Sequence, residues 1–230
     1  MKKYILLLLF LSAVTFAFAQ EKRCGVITPN FEESTAMDEA TLHRLQNTET
    51  LIQEWISNHP NEVNLREVIT IPVVVHIIWK EAAENISDLE VEAQIDALTA
   101  DFRKLNTNTS IIPDIFRPLA ADIEIEFCLA SIDPQGKKTN GIVRRKTTAT
   151  NIGSHLTNGK QTICYTDLGG SDGWDSDNYI NIWVGQLESF LGRATMPNQV
   201  IAKEDGVFID PDFFGFSCSL DNNFFLGRTL

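Results

Sequence analysis

The feature that most constrains the fold is an apolar run at residues 70–79, with the sequence TIPVVVHIIW. Six of its residues are valine or isoleucine, and β-branched side chains disfavour helix and favour strand. The run is too short to cross a bilayer, which takes about 20 apolar residues in a helix. Because apolar residues fall on both of its faces, we predict a strand in the interior of an α/β sheet, covered on both sides.

A long helix is predicted directly after this strand. Ser87 and Glu90 have the spacing of a capping box, which marks a helix beginning at Asp88. The helix is predicted to run to about Leu105, because one apolar stripe continues that far, comprising Val91, Ile95, Leu98, Phe102 and Leu105. We expect this stripe to pack on the sheet.

The remaining elements are shorter. Residues 20–35 read as irregular and residues 36–57 as an amphipathic helix, followed by a polar linker with a domain boundary near Asn64. Further strands are predicted at residues 123–130, 142–145, 179–184 and 206–210. The sequence therefore predicts one α/β (α+β) domain preceded by a helical segment.

The N-terminus predicts export. Lys2 and Lys3, an apolar core at residues 5–11 and the triplet Ala17-Phe18-Ala19 form a secretory signal over residues 1–19. A membrane anchor is the alternative, which the short apolar run disfavours. The formal net charge of −12 argues against nucleic acid and anionic membrane surfaces as partners. In an oxidising compartment four cysteines suggest disulfides of open pairing, namely Cys24, Cys128, Cys164 and Cys218.

Spacing alone identifies no catalytic centre. The sequence contains no HExxH, no GxSxG elbow and no phosphate-binding glycine loop. His76 lies within the predicted central strand, where we interpret it as a satisfied core histidine, and His155 falls in a loop. Four aspartates in one polar stretch fit either a calcium loop or a solvated loop: Asp167, Asp172, Asp175 and Asp177.

Six segments follow one another in the order and rough spacing of a known family, at residues 71–78, 84–88, 94–103, 125–130, 140–142 and 174–184. Together they resemble the pappalysin family of zinc metallopeptidases, within the metzincins, over about residues 68–230. The resemblance implies a propeptide at residues 20–65. It implies that residues 66–230 form a metzincin-like upper subdomain, with a mixed, twisted sheet backed by the long helix.

The implied activity is that of a secreted zinc endopeptidase precursor that hydrolyses a peptide or protein substrate with zinc-activated water. Residues 227–230, GRTL, are similar to the family's approach to its HExxHxxGxxH motif. The zinc ligands and the general base are therefore expected beyond Leu230. The chain by itself is expected to be inactive and to expose apolar surface.

The resemblance assigns roles to two segments of this chain. Arg23-Cys24-Gly25 resembles a cysteine-switch segment, in which the Cys24 thiolate binds the zinc ion of the latent form; a disulfide or a free thiol is the alternative. Leu191, Gly192, Arg193, Ala194 and Thr195 stand where a substrate adds as an antiparallel strand to the sheet edge; an ordinary edge strand is the alternative.

Two departures from the family pattern affect these roles. Arg193 replaces an expected aromatic residue, which leaves the subsite preference open, and Gly185 stands where many relatives have a cysteine. A rival hypothesis is a stand-alone secreted binding module without catalytic activity. The sequence leaves the substrate, the cleavage preference and the oligomeric state open.

Overall fold

The computed structural model describes residues 23–27, 39–58, 67–196 and 200–215. Its two α-helices are α1 (Glu39–Asn58) and α2 (Asp88–Phe102). Its strands are β1 (Arg23–Ile27), β2 (Ile69–Trp79), β3 (Ile125–Leu129), β4 (Ile142–Lys146), β5 (Leu156–Thr157), β6 (Lys160–Gln161), β7 (Ile180–Val184), β8 (Phe190–Thr195) and β9 (Val207–Ile209). The predicted signal at residues 1–19 lies outside the described residues, as do residues 227–230, which by resemblance approach a zinc motif.

A mixed seven-stranded sheet forms the body of the protein. Six of its strands follow the order β1-β8-β9-β7-β2-β3, and the seventh, β4, also pairs with β2. The first half of β2 pairs with β3 and its second half with β4, so β2 is bordered along its whole length. The β8–β9 pair is antiparallel, and every other neighbouring pair in this sheet is parallel. The predicted central strand is therefore confirmed, and its residues 73–78 are buried.

Each face of the sheet has its own core. On one face Val73, Val75 and Ile77 pack against α2 through Val91 and Ile95, together with the aromatic side chains of residues 213 and 214. The opposite face is covered by loops, and its core comprises Ile78, Ile152, Ile163, Cys164, Tyr165, Trp183, Leu187 and Phe208. Burial on both faces explains why the sequence of β2 is apolar throughout.

The capping box of α2 forms as predicted. The Ser87 hydroxyl oxygen accepts a hydrogen bond from the Glu90 backbone N–H at 3.3 Å, and the Glu90 carboxylate accepts one from the Ser87 N–H at 2.9 Å. The predicted C-terminus is wrong by three residues, because the helix ends at Phe102. Lys104 has a left-handed backbone with φ of 53°, which turns the chain and leaves Leu105 71% exposed.

Two further differences concern the N-terminal region. Residues 23–27 form strand β1, although the sequence predicted an irregular segment there. The predicted amphipathic helix is present as α1, but its described apolar side chains are exposed. Among the described helices, none is both long and apolar enough to cross a membrane.

Candidate functional site

The candidate site is strand β8, because the family resemblance predicts that its residues 191–195 form a sheet edge, either a peptide-binding edge or an ordinary one. On one side β8 pairs with β9, with Arg193 opposite Phe208 and Ala194 opposite Val207. On the other side it pairs with β1 rather than facing solvent. In this structure β8 is therefore not the edge of the sheet, because the N-terminal segment of the same chain covers it.

The pairing of β1 with β8 is parallel and contains one irregularity. Arg23 lies opposite Phe190 and Cys24 lies opposite Gly192, so the register skips Leu191. Gly25 then lies opposite Arg193. The side chain of Cys24 lies outside the described residues, but its backbone is fixed beside the glycine of the candidate site.

The side chain of Arg193 is directed into the loop-covered face of the sheet. Its guanidinium donates hydrogen bonds to the Gly153 carbonyl oxygen and to Gln161 Oε1, the latter at 2.7 Å, and lies 5.1 Å from the centre of the Phe208 ring. Burial lowers the pKa of the guanidinium to about 10. These contacts join β8 to the segment at residues 152–161, which contains β5 and β6, so Arg193 anchors β8 to the segment that covers this face of the sheet.

The C-terminal end of β8 is held by Thr195. Its backbone N–H donates to the Gly206 carbonyl oxygen at 3.0 Å, and its hydroxyl accepts from the Gly206 N–H at 2.9 Å. The same hydroxyl donates to the Asp205 carboxylate. These contacts extend the pairing of β8 with β9 beyond Ala194 and Val207, so the backbone of β8 is held on one side by β9 and on the other by β1.

A buried polar network lies under the same face of the sheet, centred on His76. The Nε2 atom of His76 lies 3.1 Å from Asn181 Oδ1, and its Nδ1 atom lies 2.9 Å from the Ser171 hydroxyl. Asn181 also bonds both backbone groups of Trp174: Oδ1 accepts from the N–H at 2.7 Å and Nδ2 donates to the carbonyl at 2.9 Å. This arrangement assigns the proton of His76 to Nε2, because Asn181 Oδ1 can only accept.

His76 is neutral and structural. It is fully buried and stacks on Trp183 with ring centres 5.2 Å apart. Burial lowers the pKa of the imidazole to about 4, against smaller raising effects from the Asn181 hydrogen bond and the charge of Asp172. The interpretation as a satisfied core histidine is therefore confirmed. Local sequence patterns do not predict its partners, because Ser171 and Asn181 are distant from His76 in the chain.

The described residues form no metal site, since they contain no group of three or more histidine, cysteine, aspartate or glutamate side chains that could hold an ion. Among the predicted calcium candidates, Asp172 pairs with Lys203 at 2.8 Å, and Asp175 bonds within its own turn. Cys128 is a free, exposed thiol, and Cys164 is a free, buried thiol whose pKa is raised by burial. Cys218 lies outside the described residues.

Comparison with known proteins identifies relatives among solved structures. No protein-family model matches the chain, and no curated protein matches it either. Mirolysin in complex with compound 9 is 38% identical with a TM-score of 0.64, and mature mirolysin of Tannerella forsythia with a cleaved peptide is 37% identical with a TM-score of 0.64. Each match covers 71% of this chain and 60% of that chain, so the chain spans three fifths of the length of these relatives.

A proform matches over a longer stretch. A point mutant of promirolysin from Tannerella forsythia is 32% identical with a TM-score of 0.65, and the match covers 90% of this chain and 66% of that chain. Mirolysin is a metzincin-type zinc metallopeptidase. In sequence and in fold, this chain therefore resembles the metzincin class. Its mixed sheet packed with helices confirms the predicted α/β fold class.

Proposed function

We propose that this chain is the N-terminal part of a secreted, pappalysin-type zinc endopeptidase precursor, in which β8 binds the peptide substrate and β1 occupies β8 before activation. The observation that carries the proposal is the parallel pairing of β1 with β8. From the resemblance we expect the substrate to add as an antiparallel strand on the same residues. The substrate and β1 would therefore compete for the same backbone N–H and C=O groups.

The direction of β1 suits an inhibitory segment. A β-strand that runs opposite to the substrate can use the hydrogen-bonding groups of β8 while presenting its own peptide bonds in reverse order to the reacting groups. Such a segment occupies the substrate site, but its reversed direction keeps its peptide bonds out of the orientation in which they would be cleaved. The register also places the Cys24 backbone beside Gly192, in the middle of the candidate site.

The comparisons support the division into propeptide and catalytic part. The matched share of this chain is 71% for the mature enzyme and 90% for the proform. The longer match fits a propeptide at residues 20–65 ahead of a catalytic part that begins near residue 66. The signal that the sequence predicts at residues 1–19 supports a secreted product.

We propose zinc as the cofactor because the chain resembles zinc metallopeptidases. When bound, the ion would activate a water molecule for attack on the peptide bond. The described residues do not supply its ligands, which we expect beyond Leu230. This chain would contribute strand β8, which Arg193 and Thr195 hold in place, and Cys24 as the ligand of the latent form.

The test uses the intact gene product that contains this chain, in wild-type form and as the variants Cys24→Ala and Cys128→Ala. We expect the wild-type protein to be latent until it is processed and then to cleave a peptide library in a chelator-sensitive way. Cys24→Ala should cleave before processing, whereas Cys128→Ala, which removes an exposed free thiol, should remain latent.

The outcomes separate the parts of the proposal. Absence of peptidase activity after processing, with the protein folded and zinc supplied, would reject the enzyme and favour the binding module. Activity combined with unchanged latency of Cys24→Ala would reject the cysteine switch alone.

A further inference from the structure

Arg193 is the only cationic residue of strand β8, and it lies beside the strand that covers the candidate site. It is opposite Phe208 of β9 on one side and opposite Gly25 of β1 on the other. Residues directly opposite each other in neighbouring strands have their side chains on the same face of the sheet. Any residue that pairs with Arg193 therefore has its side chain on the loop-covered face, whether its strand is parallel or antiparallel to β8.

The guanidinium of Arg193 has no acidic partner among the described residues. Its two hydrogen bonds both start at Nη2, and their acceptors are the neutral oxygens of Gly153 and Gln161. Its Nε atom is buried and donates no hydrogen bond. None of the ion pairs that the described residues form includes Arg193. A buried cation without a counterion is costly, so this site favours a ligand that brings a negative charge.

The two acids that are buried in the described part of the chain are bound to other groups. The Glu204 carboxylate accepts hydrogen bonds from the Gln161 backbone N–H at 3.2 Å and from the Tyr165 hydroxyl at 2.7 Å. The Asp210 carboxylate accepts from two backbone N–H groups. Gln161 therefore stands between Glu204 and Arg193, and the protein supplies Arg193 with a neutral amide oxygen in place of a carboxylate.

Strand β1 leaves the position beside the guanidinium without a side chain, because the residue opposite Arg193 is Gly25. Arg193 remains partly exposed with β1 in place. A larger residue at the same register would have its Cβ atom about 5 Å from the Cβ atom of Arg193. From that position an aspartate or glutamate carboxylate can reach the guanidinium and accept the short, charge-assisted hydrogen bonds that arginine forms with carboxylates.

We propose that β8 selects a substrate that carries an acidic residue, aspartate or glutamate, at the position opposite Arg193. This specificity rests on the proposed function, because it concerns the peptide that β8 binds as a substrate. The carboxylate of that residue pairs with the guanidinium, which makes Arg193 a specificity-determining residue as well as an anchor of β8. An acidic substrate thereby gains a contact that β1, with Gly25 at the same position, does not make.

Cleavage of matched peptides by the processed form of the intact gene product tests this preference. The peptides share one cleavable sequence and carry either glutamate or glutamine at one of several successive positions. Glutamine has nearly the size of glutamate and keeps an acceptor oxygen, but it carries no charge. We expect one position at which glutamate raises kcat/KM about tenfold over glutamine. In the variant Arg193→Met this preference should disappear.

A second experiment requires no peptidase activity. In the unprocessed intact gene product, the variants Gly25→Glu and Gly25→Gln place the same two side chains opposite Arg193 on β1 itself. Hydrogen exchange of the β1 amides, followed by mass spectrometry, should be about tenfold slower in the glutamate variant than in the glutamine variant. The matched control pair is Val26→Glu and Val26→Gln, at the register position opposite the uncharged Ala194, where glutamate should bring no slowing.

The outcomes separate this specificity from the proposed function. Equal cleavage of the glutamate and glutamine peptides at every position, by an active enzyme, would overturn the specificity alone. The same conclusion would follow from a preference that survives in Arg193→Met, with protected β2 amides showing that the variant is folded. If the intact gene product cleaves no peptide, slower β1 exchange in Gly25→Glu than in Gly25→Gln would retain the acid-binding position and reject only the peptidase, whereas equal exchange would overturn both.

Discussion

Acidification should destabilise the protein through His76. Burial lowers the pKa of His76 to about 4 in the folded protein, whereas its ordinary value is 6.5. Between these pH values the unfolded chain binds a proton that the folded protein does not bind, so stability falls as the pH drops from about 6.5 toward 4. One pKa unit corresponds to about 1.4 kcal/mol, so the loss is about 2 kcal/mol at pH 5 and about 3 kcal/mol near pH 4.

The assay is urea unfolding at pH 8 and pH 5, followed by tryptophan fluorescence. Trp183 stacks on His76 and reports directly on this region. The variant His76→Gln should be less stable than the wild type at pH 8, because it loses the stacked ring. Its loss of stability between pH 8 and pH 5 should be smaller than that of the wild type by about 2 kcal/mol. The control His155→Gln, at an exposed position, should behave like the wild type.

Nuclear magnetic resonance of the histidine rings gives an independent readout if His76→Gln does not fold. We expect the His76 ring to carry its proton on Nε2 and to remain neutral down to about pH 5. Titration of this ring near pH 6.5, or equal pH dependence of the wild type and His76→Gln, would refute the reasoning.

Three further predictions concern stability and order. Ser87→Ala should lower the free energy of unfolding by about 1 kcal/mol through loss of the α2 cap, and an unchanged urea midpoint would contradict this. Asn181→Leu should lower it by about 3 kcal/mol or more, because the variant leaves both Trp174 backbone groups and His76 Nε2 without their partner; wild-type stability would show that the network contributes little. Arg193→Lys should increase proteolytic cleavage within residues 152–161, because lysine cannot keep both hydrogen bonds and the stacked ring contact; an unchanged digestion pattern would refute the supporting role.

The elements that the sequence predicted well are those determined by local patterns. The run at residues 70–79 became β2 because its side chains must be buried on both faces, and the capping box set the start of α2. The C-terminus of α2 was less predictable. Leu105 continues the apolar stripe, but the left-handed turn at Lys104 directs the chain away before that residue.

The candidate site depends on contacts between distant parts of the chain, which local patterns do not encode. β1 is a short strand containing a glycine, and its sequence does not indicate that it pairs with β8, more than 160 residues later. The hydrogen-bond partners of His76 and Arg193 likewise come close to them only because the sheet topology brings distant segments together. A functional role for Cys24 and for residues 191–195 is indicated only by the resemblance to a known family.

The most direct test of the central proposal is the sequence of the native transcript, read past the codon for Leu230. We expect an HExxHxxGxxH motif within a few residues, because β8 and its supports would then border a zinc centre held by the next helix. An in-frame stop codon at that position in the native gene, together with a stable, monomeric 230-residue product, would contradict the proposal that this chain is part of a zinc peptidase.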